Sequence, residues 1–192
     1  MNWNILLDEI SRGLIENGDL HPSYTDREKT GWLGLPGASE DAILSAERRL
    51  KVTLPPSYKS FLRCSNGFLQ VSTFIWDLLP VEGIDWLRNH DPDFVALYSN
   101  YTNEFQVDDS VYYIYGEGQE TVNFRAEYLQ KCIAVSGWGD AAIVLLNPEI
   151  KFGDEMEAWI FANWYPGAAR YKSFLELITA ELETYKDIRK GS

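Results

Sequence analysis

The residues that could do chemistry are few, and none is spaced for it. The two histidines, His21 and His90, are far apart, and neither has a second histidine at metal-ligand spacing. His21 precedes Pro22 in a turn-rich stretch, and His90 sits in Asn89-His90-Asp91 at an expected helix boundary. Each reads as a solvated or locally hydrogen-bonded imidazole. Cys64 and Cys132 form no CxxC pair and read as buried small hydrophobes. Ser136-Gly137 lacks the GxSxG frame of a nucleophile elbow. Gly137-Trp138-Gly139-Asp140 has neither the third glycine nor the lysine of a phosphate loop, and reads as a tight strand connection. Carboxylates are plentiful, yet Asp108-Asp109 and Asp154-Glu155 lack the alternating oxygen spacing of a calcium loop. No flanking pattern singles out an acid pair for glycoside chemistry, and charge runs of this kind are normally solvated faces. The expectation is a protein that is not an enzyme and holds no metal or organic cofactor.

Charge points to binding instead. The 192 residues carry 29 Asp and Glu against 17 Lys and Arg, a formal net charge of -12. Such a surface repels phosphate backbones and anionic lipid, so nucleic-acid and membrane-surface binding are disfavoured. It attracts a basic protein and speeds its capture. The 7 Trp, 11 Tyr and 9 Phe supply a core of large rings and leave some free to act as surface anchors. The candidate partner-binding residues are Glu104, Asp108, Asp109, Glu117 and Glu120, in the acidic band 104–120. Tyr112, Tyr113 and Tyr115, read as a strand, alternate faces and place at least one ring outside among these carboxylates. No basic-plus-apolar leader opens the chain and no run nears the ~20 apolar residues of a membrane span, so a cytoplasmic location is expected.

The elements follow from spacing. Trp3, Leu6, Leu7, Ile10 and Leu14 share a helical face, predicting an amphipathic helix over about 1–17 that ends at Asn17-Gly18. Residues 18–38 read as a loop. Ser39 caps a helix lined by Ile43, Ala46 and Leu50, and Leu54-Pro55-Pro56 opens another that carries Tyr58, Phe61 and Leu62 and stops at Asn66-Gly67. Strands are expected at Val71–Trp76, Val111–Tyr115, Cys132–Val135, Ala141–Leu146 and Ala158–Phe161, with Thr121–Phe124 pairing back as a hairpin. Between 81 and 103 a helix starts at Asp91-Pro92 and carries Phe94, Leu97, Tyr98 and Tyr101 on one face. Tyr171, Phe174, Leu175, Ile178, Leu182 and Tyr185 trace a closing amphipathic helix. Strands cluster late and helices lie at both ends. This predicts an α+β fold over 1–192: a single domain with a mixed, largely antiparallel sheet flanked by helices.

One stretch carries a family likeness. Leu35-Pro36-Gly37-Ala38-Ser39-Glu40 through Glu47, then Leu54-Pro55-Pro56-Ser57-Tyr58, Phe61-Leu62 and Ser65-Asn66-Gly67, resembles the signature of the SUKH superfamily, in particular its Smi/Knr branch. Ile133-Ala134-Val135, Gly139-Asp140 and Ile143 through Pro148 are similar to that family's paired strands and Gly-Asp turn. The likeness covers roughly 35–180. It implies a non-catalytic protein-binding module around a sheet. In bacteria such a module is often an immunity protein that neutralises a toxin, frequently a nuclease with a basic active-site rim. The alternative it implies is a regulatory scaffold of the Smi/Knr type.

Overall fold

The computed structural model describes residues 2–99, 107–164 and 166–190. The chain opens as its spacing predicts: helix α1 (Trp3–Glu16) buries Trp3, Leu6, Leu7, Ile10 and Leu14. The Asn2 carboxamide accepts from the Asn4 amide at 3.0 Å, satisfying one of the free donors at the helix start. Within the expected loop the chain makes a 3-10 helix, Pro22–Lys29, started by Pro22 and by His21 Nδ1, which accepts from the Ser23 amide.

Helices α2 (Glu40–Leu50) and α3 (Pro56–Cys64) form the motif corner, and each motif residue has a structural task. Ser39 caps α2 by accepting from the Ala42 amide at 3.2 Å. The Glu47 carboxylate accepts from the Leu54 amide at 2.9 Å and from Lys59 Nζ at 3.1 Å, clamping the turn that leads into Pro55-Pro56. Asn66 accepts from the Val81 amide at 2.7 Å and donates to Glu82, so it ties α3 to a later loop besides ending it. Gly67 follows at φ +99°, where a Cβ would lie 2.7 Å from the Leu78 carbonyl.

Of the expected strand Val71–Trp76, residues 71–75 are instead the turn of a hairpin and Trp76 opens its second strand, β1 (Phe68–Gln70) pairing with β2 (Trp76–Leu78). Ser72 Oγ accepts from the amides of Phe74 and Ile75, and the Val71 amide bonds the Ile75 carbonyl, so local bonds outcompete the β-branched run. The main sheet runs β3 (Asp85–Trp86), β4 (Ile133–Ala134), β5 (Ala142–Phe152), β6 (Glu155–Ala162) and β7 (Ala168–Tyr171) in that spatial order. The architecture is α+β as expected. Its pairings are antiparallel among the described residues, which narrows the mixed sheet expected from sequence. Pro148 is tolerated in β5 because the register shifts between Asn147 and Lys151, where a missing donor costs no ladder bond. Tyr171 belongs to β7, not to the closing helix α7 (Phe174–Lys190), which starts where the Glu176 amide donates to Ser173 Oγ.

Both faces of this sheet are covered. Val144, Leu146, Ala158 and Ile160 point into a core shared with α1, α2, α3 and α7. Ile143, Leu145, Trp159 and Phe161, alternating with them, face a second core. That core is closed by α4 (Leu87–His90), α5 (Pro92–Ser99) and the segment 107–131. On α5 the buried face is Phe94, Val95 and Tyr98; Leu97 is exposed, and Tyr101 lies outside the described residues.

The α7 carboxylate of Glu181 is largely buried and accepts from Ser72 Oγ at 3.0 Å. Burial raises its pKa above the ordinary 4.5, against that hydrogen bond. The folded chain therefore holds a proton that the unfolded chain has released, and stability falls as pH rises from 4.5 through the folded value. Glu181→Gln is expected to raise the melting temperature at pH 7, by an amount that shrinks on acidification toward that ordinary value. A lower melting temperature for the variant at pH 7 would contradict this.

Candidate partner-binding surface

The segment 107–131 is held on the sheet by a buried polar knot. Glu157 on β6 and Arg170 on β7 have fully buried side chains, with Arg170 Nη1 3.7 Å from Glu157 Oε1. The Glu157 carboxylate accepts from Tyr112 Oη (2.7 Å), Tyr115 Oη (2.7 Å), Asn147 Nδ2 (2.8 Å) and Trp159 Nε1 (2.7 Å). Four donors replace the water lost on burial. The Arg170 guanidinium lies over the Tyr112 ring at 4.2 Å and donates to the Tyr112 carbonyl. Gln119 closes the knot by bonding both the amide and the carbonyl of Arg170. Burial raises the hydroxyl pKa values of Tyr112 and Tyr115, and both stay protonated donors.

This knot explains why the expected strand Val111–Tyr115 does not form. Residues three apart in a strand point to opposite faces, whereas Tyr112 and Tyr115 must reach one carboxylate. The chain meets that demand with a helical turn, α6 (Asp109–Tyr112), followed by a 3-10 turn, Gly116–Gly118. The hairpin expected at Thr121–Phe124 is absent for the same reason, and Phe124 packs edge-on against Trp159 and Phe161. A further 3-10 helix, Ala126–Lys131, leads into β4.

Of the sequence-predicted residues, Asp108, Asp109, Glu117 and Glu120 are exposed, and Glu104 lies outside the described residues. Two of the four carry structural work. Asp108 caps α6, and hydrogen bonds from the Ser110 hydroxyl and amide hold its pKa below the usual carboxylate range. Asp109 pairs with Arg125, whose guanidinium bonds the Val107 carbonyl and lies 4.4 Å over Tyr112. Glu117 stands on the 3-10 turn, and Glu120 accepts from Asn123 at 3.3 Å. Among them Tyr113 is 47% exposed and Ile114 40%, so the outward ring is Tyr113. Residues 107–120 show water four carboxylates and two large apolar side chains, fixed from below. Sequence reading missed Glu157 and Arg170. Their signal is phase: each sits two residues from an inward-facing position, Glu157 before Trp159 and Arg170 after Ala168, so each must be buried and paired.

Burial pushes up the thiol pKa of Cys64, and far up that of Cys132, which suppresses the thiolate. The His21 ring rests on Trp76 with centroids 4.3 Å apart. Among the described residues no His, Cys, Asp and Glu group is placed to hold a metal ion, and no helix is long and apolar enough to cross a membrane.

No curated protein shows a significant sequence match to the chain. The profile of the SMI1 / KNR4 family (SUKH-1) matches residues 37–180, which takes in the Glu47 clamp, the Pro-Pro corner, the Asn66-Gly67 tie and both strands of the Glu157–Arg170 pair. The chain belongs to the SMI1 / KNR4 family (SUKH-1).

Proposed function

We propose that this protein is a non-catalytic binding module that neutralises a basic toxin domain, with the band Glu104, Asp108, Asp109, Glu117 and Glu120 forming the rim of its binding face. The observation that carries this reading is rigid presentation. Exposed carboxylates around Tyr113 sit on a segment locked from beneath by Glu157 and Arg170, so little order is lost on docking. A net charge of -12 draws a cationic partner from a distance, and an apolar centre with a charged rim then retains it. Family membership supports a protein partner and is equally compatible with the Smi/Knr regulatory role.

The test must spare the two aspartates that hold the segment together. Reversing Glu117 and Glu120 together to Lys is expected to slow association at least about tenfold at low salt, with the difference fading as salt screens it. The partner is first recovered by pull-down and identified by mass spectrometry, and rates are then read by stopped-flow mixing. An association rate equal to wild type would move the binding face elsewhere. A recovered partner that is a signalling or wall-synthesis protein, with no toxin domain, would favour the regulatory role.

A further inference from the structure

Four loops meet at the end of the sheet where β5 begins and β6 ends. They are the 3-10 helix Pro22–Lys29 with His21 before it, the β1–β2 hairpin, the β4–β5 connection and the β6–β7 connection. Their contacts make one surface. Tyr24 Oη donates to the Asp77 carboxylate, and the Gly137 amide donates to the Asp77 carbonyl at 2.9 Å. The Asp140 amide reaches the Phe74 carbonyl at 3.2 Å, and Trp164 Nε1 reaches the Asp140 carbonyl at 2.8 Å. A Cβ on Gly139 would stand 2.8 Å from the Phe74 carbonyl, so only glycine allows this approach.

Two features set this surface apart. His21, Tyr24, Phe74 and Trp76 are half-buried and Trp164 is 49% exposed, so large rings face water beside the exposed Asp77 and Asp140. The rings back one another, His21 on Trp76 at 4.3 Å and Phe74 on Trp164 at 5.3 Å. Both indole N–H groups are engaged by loop carbonyls, of Thr73 and Asp140, which fixes the orientation of both rings. Backbone strain converges here too. Among the described residues the non-glycines with positive φ are Lys51, Asp77 and Ala141. Lys51 ends α2, whereas Asp77 (φ 51°) and Ala141 (φ 54°) both lie in this cluster. Such strain persists where the surroundings over-determine it, and it collects at functional sites.

We propose that this end of the sheet is a second docking surface, which takes the cationic side chains of an extended arginine-bearing segment of a partner protein. Indole faces attract guanidinium groups, the more so beside carboxylates, and two anchored indoles with Asp77 and Asp140 offer more than one such position. The surface is distinct from the acidic band. The Asn147–Glu157 pair beneath the band is five residues from the Ala142–Ala162 pair, about 17 Å along the strands. The two surfaces can therefore fail independently.

The probe is a capped peptide alternating arginine and glycine, with its citrulline counterpart as the uncharged match. Binding is followed by nitrogen–proton correlation spectra of the uniformly labelled protein at physiological ionic strength (about 0.15 M). The expected result is a saturable shift of the Trp76 and Trp164 indole signals with the arginine peptide and none with citrulline. Trp164→Ala with Asp77→Asn should weaken binding roughly tenfold, while the Glu117 and Glu120 reversal leaves it unchanged. Asparagine tolerates positive φ nearly as well as aspartate, so the second substitution removes charge without disturbing the backbone. Should the double variant melt early, Asp140→Asn alone with the same peptides gives the reading. Shifts confined to residues 107–120, equal shifts with citrulline, or no saturation would overturn the proposal.

Discussion

Replacing Glu157 with Leu is expected to destabilise the protein by about 3–5 kcal/mol, because the change strands a buried guanidinium. Arg170 has a fully buried side chain, and its Nε already has no hydrogen-bond partner among the described residues. Without Glu157, four more donors lose their acceptor: Tyr112, Tyr115, Asn147 and Trp159. A loss of this size is about a fifth or more of the total stability of an ordinary domain and corresponds to about 6–20 °C in melting temperature. Adding Arg170→Met should return part of the loss, since removing both charges leaves no unpaired ion to desolvate. Hydrogen exchange gives the structural readout: amides within 107–131 should lose protection before those of α1 and α7. A single-variant loss under about 1 kcal/mol in denaturant melts would show that water reaches the pair and that the knot does not hold the segment.

The same pair marks the limit of what the sequence discloses. Helix α2, the Pro-Pro corner and α7 are legible because cap, proline stop and apolar period agree within a few residues. The strands β5 and β6 are legible as apolar runs, although the sequence does not say that both faces are buried. The segment 107–120 misleads because Val111 through Tyr115 has strand composition, and its true conformation is imposed by a carboxylate more than forty residues away. Tertiary demand there overrides local propensity. For the candidate surface, the exposure of Asp108, Asp109, Glu117 and Glu120 was readable from composition and loop signals. That Asp108 is a cap and Asp109 an ion-pair partner was not, since both tasks depend on where α6 begins. Glu47 is intermediate: the family likeness singles it out, and the structure supplies the reason in the Leu54 amide and Lys59.

Phe61→Ala is expected to cost about 3–5 kcal/mol, from the lost transfer energy of the ring and the cavity left behind. The ring is fully buried where α1, α3 and α7 meet. Its centroid lies 5.5 Å from that of Trp3, 5.9 Å from Tyr58 and 5.2 Å from Phe174, so three further rings lose contact with it. These neighbours sit on three separate helices, and the site cannot collapse without moving one of them against the sheet. Phe61→Leu keeps most of the volume and should cost about 1–1.5 kcal/mol. The two variants also separate stability from binding. Phe61 packs on the face of the sheet opposite to the segment 107–131, with β5 and β6 between them. Measured well below its melting temperature, Phe61→Leu should associate with the partner at the wild-type rate, whereas the Glu117 and Glu120 reversal slows association at unchanged stability. A denaturant midpoint for Phe61→Ala that corresponds to a loss below about 1 kcal/mol would remove the ring from the core and with it the helical layer that supports the sheet.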